Sequence, residues 1–200
     1  YIGRLDTPKG VHTFIEVAKK LPQYEFFIAG NGPWELLLKD MADKRDNIFF
    51  VGRVKNPLDF INSMDLIIVP SIREPLGNTI IEAGFCKKPV IASCVDGISE
   101  IIDDGISGVL IEPKKEISIS QIPINSVPMP EYVVNPKTKK LQQPKEIEPD
   151  ELANHIINLE QDYALRQKYG NALYDSVVDK FNIEKYFSEL EKIYKNINYK

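Results

Sequence analysis

Residues 74–82 read EPLGNTIIE, with one glutamate just before a proline and a glycine and a second inside an apolar run. Pro75 and Gly77 predict a helix start near Leu76. The free N–H groups and the dipole of a helix start attract anions. The backbone amides of Leu76, Gly77, Asn78 and Thr79 would then form an anion nest. Glu82 follows about a turn or two later, flanked by Ile80, Ile81, Ala83 and Gly84. A glutamate is rarely buried without a partner. A carboxylate is a poor neighbour for phosphate but a good acceptor for paired sugar hydroxyls. The pattern suits a sugar diphosphate, with amides for phosphate and Glu74 and Glu82 for sugars. The plainer reading is a capped helix with one exposed glutamate.

Three other loops carry usable groups. GRLDTPKG (3–10) puts Arg4 and Lys9 in one loop, within reach of one anion. A forked guanidinium and a point-charge ammonium together suit a diphosphate, although two basic loop residues are also commonly just solvated. AGNGP (29–33) has glycines that permit a tight turn and close approach of a ligand to the backbone, or simply a turn. It is not GxGxxG, so it does not argue for NAD. FVGRVKN (50–56) either offers backbone groups from Gly52 to Lys55 to a planar base or is a plain connector.

The elements that must position these loops alternate along the first 112 residues. Apolar runs read as strands at 1–3, 24–30, 47–52, 65–70, 88–93 and 107–112. Helical signals lie between them, at 11–21, 33–45, 56–64, 76–86 and 98–103. Near-continuous apolar strands alternating with helices predict a doubly wound parallel α/β sheet, covered on both faces. Ligands in such sheets bind beyond the carboxyl ends of the strands, where all four loops lie.

The character changes over about 114–147, which is proline-rich and lacks a helical period. ISISQIPI (117–124) alternates like a strand, and YVVNPKTKKLQ (132–142) predicts a hairpin turning at Asn135–Thr138. We read this stretch as an insertion. It leaves the strand at 107–112 on the ligand edge, so it is expected at the cleft rim, bearing on acceptor or interdomain contact and not on donor binding; the plainer reading is an idle surface loop. From Asp150 the chain reads as three helices, ending near 198.

Bulk properties narrow the classes. The chain has 200 residues, 43% hydrophobic and 27% charged, with a net charge of −4, an ordinary globular balance that does not advertise nucleic-acid binding. No apolar run approaches the roughly 20 residues of a membrane span. Cys86 and Cys94 read as free thiols, and no Cys/His cluster has zinc spacing. His12 and His155 read as surface helix residues, and Trp34 as packing. Phe181, Tyr186, Phe187 and Tyr194 are expected to pack against the domain. The opening Tyr1-Ile2-Gly3 looks like the end of a strand without its start, which suggests a piece of a longer protein.

GRLDTPKG, AGNGP, FVGRV, EPLGNTIIEA with its E-x7-E spacing, KPVIAS and GISEIIDDGISGVLIEP follow one another over 1–113. In that order they resemble the donor-binding, carboxyl-terminal domain of the retaining glycosyltransferases of the two-Rossmann-domain GT-B fold. The resemblance resumes with the helices from about 148. It implies a Rossmann-like nucleotide-sugar-binding domain whose amino-terminal acceptor domain is missing. It implies that Arg4 and Lys9 hold the donor diphosphate, that Gly3 belongs to the donor-binding set and that Glu74 touches the transferred sugar. Glu82 would bind ribose, Leu76, Gly77, Asn78 and Thr79 would donate backbone N–H groups, and Val54 would meet the base. The implied catalytic residues are Glu74, Arg4 and Lys9. The implied substrate is a UDP-, GDP- or ADP-sugar, with no cofactor and no metal. The implied setting is cytoplasmic synthesis of polysaccharide, lipopolysaccharide or glycolipid, with peripheral membrane association left to the missing domain. In this family the terminal helix tends to cross back to the other domain. The sequence departs from the family at CVDGISE, where Gly97 is followed by Ile98 instead of a second glycine, and in the insertion. A non-catalytic nucleotide-sugar-binding or scaffold domain remains the alternative. A receiver domain would need acidic residues after the first strand and an aspartate at the third, which NIFFVGRV lacks.

Overall fold

The computed structural model describes residues 1–117, 119 and 121–197. The strands are β1 (Phe26–Ala29), β2 (Ile48–Gly52), β3 (Ile67–Val69), β4 (Val90–Ser93), β5 (Val109–Ile111), β6 (Val133–Asn135) and β7 (Lys140–Gln142). The helices are α1 (Val11–Lys20), α2 (Glu35–Ala42), α3 (Pro57–Asn62), α4 (Asn78–Phe85), α5 (Pro149–Gln161), α6 (Tyr163–Lys180) and α7 (Ile183–Ile197). Short 3-10 turns span Thr7–Lys9 and Asp96–Glu100, the latter where a helix was expected at 98–103.

All pairing among β1 to β5 is parallel. β1 pairs with β2, and β4 lies between β3 and β5. Of the expected first strand only Ile2 pairs, as a single parallel bridge to Ala29. β3 and β4 are buried along their whole length, as strands covered on both faces must be. One core layer joins α1, β1 and α5 through Phe14, Ile15, Ile28 and Leu152. The other joins β3, β4, α4 and α6 through Ile67, Ile80, Val90 and Leu173. Each such fully buried aliphatic side chain contributes roughly 1.5–3 kcal/mol. Among the described residues no helix is long and apolar enough to cross a membrane.

The insertion begins and ends at one antiparallel bridge between Lys115 and Glu146. Its hairpin is β6–β7, where the sequence placed it. Among the described residues of 117–124 none lies in a strand, and Ser118 and Ser120 lie outside the described residues.

Two expectations are corrected. His12 is not a surface residue: it is 2% exposed, and its Nε2 lies 2.7 Å from Glu146 Oε1. It sits on the face of α1 that meets the neck of the insertion, so a partner far away in sequence makes its burial tolerable. Lys115 closes the same group, 3.0 Å from Glu16 and 3.2 Å from Glu146. Burial pushes the Glu146 carboxyl up, but the hydrogen bond and charge of His12, with Lys115, outweigh it and hold the group below its usual range. The second correction concerns α7. Phe181 does pack on the α4–α6 layer, but Tyr186, Phe187 and Tyr194 are exposed. α4 is packed against α6 instead, and the Tyr186 and Phe187 rings meet edge to face on α7 itself, 5.8 Å apart. Trp34 is a packing residue as expected: it is 2% exposed, and its indole N–H donates to Thr7 Oγ1 at 3.1 Å.

Candidate active site

The loops leaving the parallel strands are stitched together by backbone hydrogen bonds. Leu5 N donates to Asn31 O at 3.0 Å, and Trp34 N donates to Leu5 O at 3.2 Å. Ile72 N donates to Pro8 O at 2.9 Å, which fastens the loop before Glu74 to the loop of Arg4 and Lys9. The glycines of AGNGP serve this contact first. A Cβ on Gly30 would lie 1.8 Å from Gly3 O, and one on Gly32 would lie 2.1 Å from Leu5 O. What comes that close to these glycines is the neighbouring loop.

Between these loops opens a cleft of about 540 Å³ lined by Gly3, Arg4, Gly30, Gly32, Arg53 and Val54, among others. Three residues singled out from the sequence, Gly3, Arg4 and Val54, therefore share one cavity. Arg4 reaches it half-exposed. Its Nε pairs with Asp6 Oδ2 at 2.8 Å, which leaves both terminal nitrogens of the fork for an anion.

Lys9 is brought to Glu74 instead. Its Nζ lies 2.6 Å from Glu74 Oε2, and the two side chains are 28% and 12% exposed. Ser71 Oγ donates to the same oxygen at 3.1 Å, so Glu74 Oε1 is left without a partner among the described residues. A pair so close and so shielded holds both charges in fixed places.

Glu74 precedes α4 as expected, but the helix begins later than Leu76. Gly77 is the N-cap at φ 89°, and Asn78 is the first helical residue. That φ is in the left-handed region, which a glycine adopts without strain. Among the described residues the amides of Leu76, Gly77, Asn78 and Thr79 donate to no protein group. Thr79 Oγ1 donates to Ile2 O at 3.2 Å, which ties the start of α4 to the end of the first run. Glu82, the fifth residue of α4, is half-buried with no hydrogen-bonding or ionic partner among the described residues. Burial pushes its carboxyl above the usual range.

Residues that sequence reasoning missed are supports and one further cation. Arg53 lines the cleft beside Val54. Asp6 is 3% exposed and accepts from Thr7 N at 2.8 Å, besides pairing with Arg4. Its signal was an aspartate directly before Thr-Pro, a turn-capping sequence. Asp96 accepts from Glu74 N at 3.0 Å, and nothing local in the sequence announces that contact.

Among curated proteins, the chain is 33% identical over 124 residues to alpha-D-kanosaminyltransferase of Streptomyces kanamyceticus, a match covering 56% of this chain and 32% of that protein. It is 30% identical over 209 residues to an uncharacterized glycosyltransferase of Methanocaldococcus jannaschii, covering 94% of this chain and 47% of that protein. The chain thus spans about a third to a half of the length of these relatives. Among solved structures, the Anabaena HepE protein in complex with UDP and glucose superimposes with a TM-score of 0.72 at 19% identity, covering 98% of this chain and 47% of that one. That likeness gives the fold alone, a Rossmann-like half of the GT-B architecture. The family model for the glycosyl transferases group 1 matches residues 1–123, and this chain belongs to that family.

Proposed function

We propose that this domain binds the nucleotide-sugar donor of a retaining, metal-independent hexosyltransferase whose acceptor domain lies outside this chain. The observation that carries the reading is the Lys9–Glu74 pair at 2.6 Å, set beside the unpaired amides at the start of α4. It puts a cation, a carboxylate with one free oxygen and a nest of N–H donors within one corner of the strand-end face. In this reading the base lies against the main chain near Val54, and the ribose hydroxyls donate to Glu82. The diphosphate takes the terminal nitrogens of Arg4, the remaining protons of Lys9 and the amides of Gly77 to Thr79. Glu74 accepts from hydroxyls of the transferred sugar.

The chemistry follows from where charge develops. As the glycosidic bond to the diphosphate breaks, negative charge grows on the leaving oxygen. Fixed donors aimed there stabilise the transition state more than the ground state. Arg4, Lys9 and the α4 amides supply such donors from the protein itself. Retention of configuration follows from the family resemblance and requires that the acceptor oxygen attack the anomeric carbon on the face from which the diphosphate leaves. The product class, a polysaccharide, lipopolysaccharide or glycolipid, follows from the family resemblance. The similarity to alpha-D-kanosaminyltransferase and to HepE in complex with UDP and glucose supports sugar transfer in general and UDP as one candidate nucleotide.

The test is titration of the domain with UDP-, GDP- and ADP-glucose and the free nucleotides by calorimetry, with transfer assayed separately on the full-length enzyme. We expect one nucleotide series to bind and the isolated domain to transfer no sugar. Robust transfer by the domain alone, or binding of none of the series, would overturn the proposal.

A further inference from the structure

The inserted arm is fastened to the donor loops by two aspartates. Asp96 Oδ2 accepts from Glu74 N at 3.0 Å, and its Oδ1 accepts from Val134 N of β6 at 2.8 Å. Asp6 Oδ1 accepts from Val127 N at 2.8 Å, while its other oxygen pairs with Arg4. Each aspartate thus has one oxygen on a donor-loop residue and the other on an amide of the arm.

The geometry around Asp96 is demanding. Its φ is 46°, a left-handed conformation that penalises an L-residue with a Cβ. Gly97 N donates to Glu74 O at 3.3 Å, and a Cβ on Gly97 would lie 2.2 Å from Pro75 O. The peptide groups on both sides of Glu74 are therefore held by this one turn. Val133 next door is 2% exposed, which seats β6 in the core layer under α4. Val134 N points away from the β6–β7 ladder and is free to reach Asp96.

We propose that the inserted arm is a strut of the donor site, in which Asp96 and Asp6 act as positioning residues that fix Glu74 and Arg4 against amides of the arm. This rests on the reading of Glu74 and Arg4 as donor-binding residues. It also changes the role expected for the insertion, from the acceptor side to the donor side. A strained aspartate makes sense here because a glycine would relax the backbone but supply neither acceptor.

The test uses the full-length enzyme and four variants. Asp96→Gly keeps the left-handed turn and removes both acceptors, and Asp96→Asn keeps the turn and one acceptor oxygen. Val134→Pro and Val127→Pro each remove a single amide donor from the arm. Amide hydrogen exchange at Glu74 is read without any ligand, and transfer kinetics are read with the preferred nucleotide sugar. We expect Glu74 exchange to speed up at least about tenfold in Asp96→Gly and Val134→Pro, with kcat falling about tenfold and donor KM changing less than about threefold. Asp96→Asn should fall between wild type and Asp96→Gly. Val127→Pro should instead raise donor KM with Glu74 exchange unchanged. Melting temperatures check that the variants fold, and Asp96→Gly carries the test if a proline variant does not. Wild-type kcat in Asp96→Gly, or unchanged Glu74 exchange in both Asp96→Gly and Val134→Pro, would overturn the proposal. Exchange that responds in an enzyme that neither binds nor turns over any nucleotide sugar would instead overturn the donor-site reading, and the proposed effect on transfer with it.

Discussion

Replacing Lys9 with alanine tests the diphosphate assignment most sharply. Its side chain is 28% exposed, and one proton of its ammonium is already committed to Glu74 at 2.6 Å. Two protons remain for a phosphate oxygen. A hydrogen bond to a charged group is worth about 1.5–3 kcal/mol, so one lost contact weakens diphosphate binding about ten- to a hundredfold. The partial shielding of Lys9 places it in the upper part of that range. Arg4, with its side chain 58% exposed and tied to Asp6, is better screened by solvent and belongs nearer tenfold. Loss of folding would not mimic the effect, because partly exposed ion pairs contribute about 0–1 kcal/mol to stability. The assay is calorimetry on the full-length enzyme with the preferred nucleoside diphosphate and, in parallel, its nucleoside. Lys9→Ala should cut affinity for the diphosphate and leave the nucleoside within about twofold. Raised salt should narrow the gap for Arg4→Ala more than for Lys9→Ala. Equal losses for nucleoside and diphosphate would refute the reasoning, because they would put Lys9 against the base or the sugar, or show that its removal deforms the cleft.

Three further outcomes follow from the same geometry. Glu82→Gln should weaken the nucleoside diphosphate, and a 2′-deoxy ligand should be less sensitive to the change; equal losses for both would remove Glu82 from the ribose. Burial raises the Glu82 carboxyl above its unfolded value, so the unfolded state loses its proton first and stability falls as pH rises from about 4.3 through the folded value. Glu82→Gln should therefore raise the melting temperature at neutral pH and not at about pH 3.5, where both states are protonated; a gain of equal size at both pH values would point to packing instead. His12→Ala should cost about 3 kcal/mol and lower the melting temperature by roughly 6–12 °C, since it strips a partner from a carboxylate that is 1% exposed. A shift under about 2 °C would mean that solvent reaches Glu146.

The lowered Glu146 carboxyl makes a separate stability contribution, present above the unfolded value near 4.3 and lost as pH falls through the lower folded value. Glu146→Gln should flatten the acid limb of the stability curve below pH 4. An unchanged acid limb in that variant would assign acid unfolding to other carboxylates.

The legible part of this molecule was local. Val11, Phe14, Ile15 and Val17 mark α1 by period, and Pro57 after Asn56 marks the start of α3, where Asn56 accepts from Leu58 N as its cap. The hairpin at 133–142 was legible from Asn135, whose Oδ1 accepts from the amides of Lys137 and Thr138. Strand-end loops carry the site residues because a parallel sheet sends all its strands' carboxyl ends to one edge. The illegible part was the long-range pairing of polar groups. His12 looks like any polar residue on a helix until Glu146 arrives from 134 positions away. The described residues of 117–124 form no strand, because alternation marks a strand only where a neighbour supplies a ladder.

Burial of charge separates the two kinds of residue in this site. Arg4 and Glu82 are partly open to solvent, so the hydrophobic pattern makes them readable as polar groups on an apolar frame. Asp6 and Glu146, by contrast, are almost wholly buried, and a buried carboxylate persists only when its oxygens are satisfied. Glu146 is held by His12 and Lys115, and Asp6 by the Val127 amide, partners from other segments that leave no signature in the local sequence, whereas Arg4 and the Thr7 amide beside Asp6 are local. Asp96 sits between these cases, half-buried, with one oxygen accepting from Glu74 N and the other from Val134 N. Such a residue gains little from its own burial and carries a left-handed backbone at φ 46°. Its placement is therefore explained by what it holds, and what it holds on one side is the glutamate that opens the E-x7-E pattern.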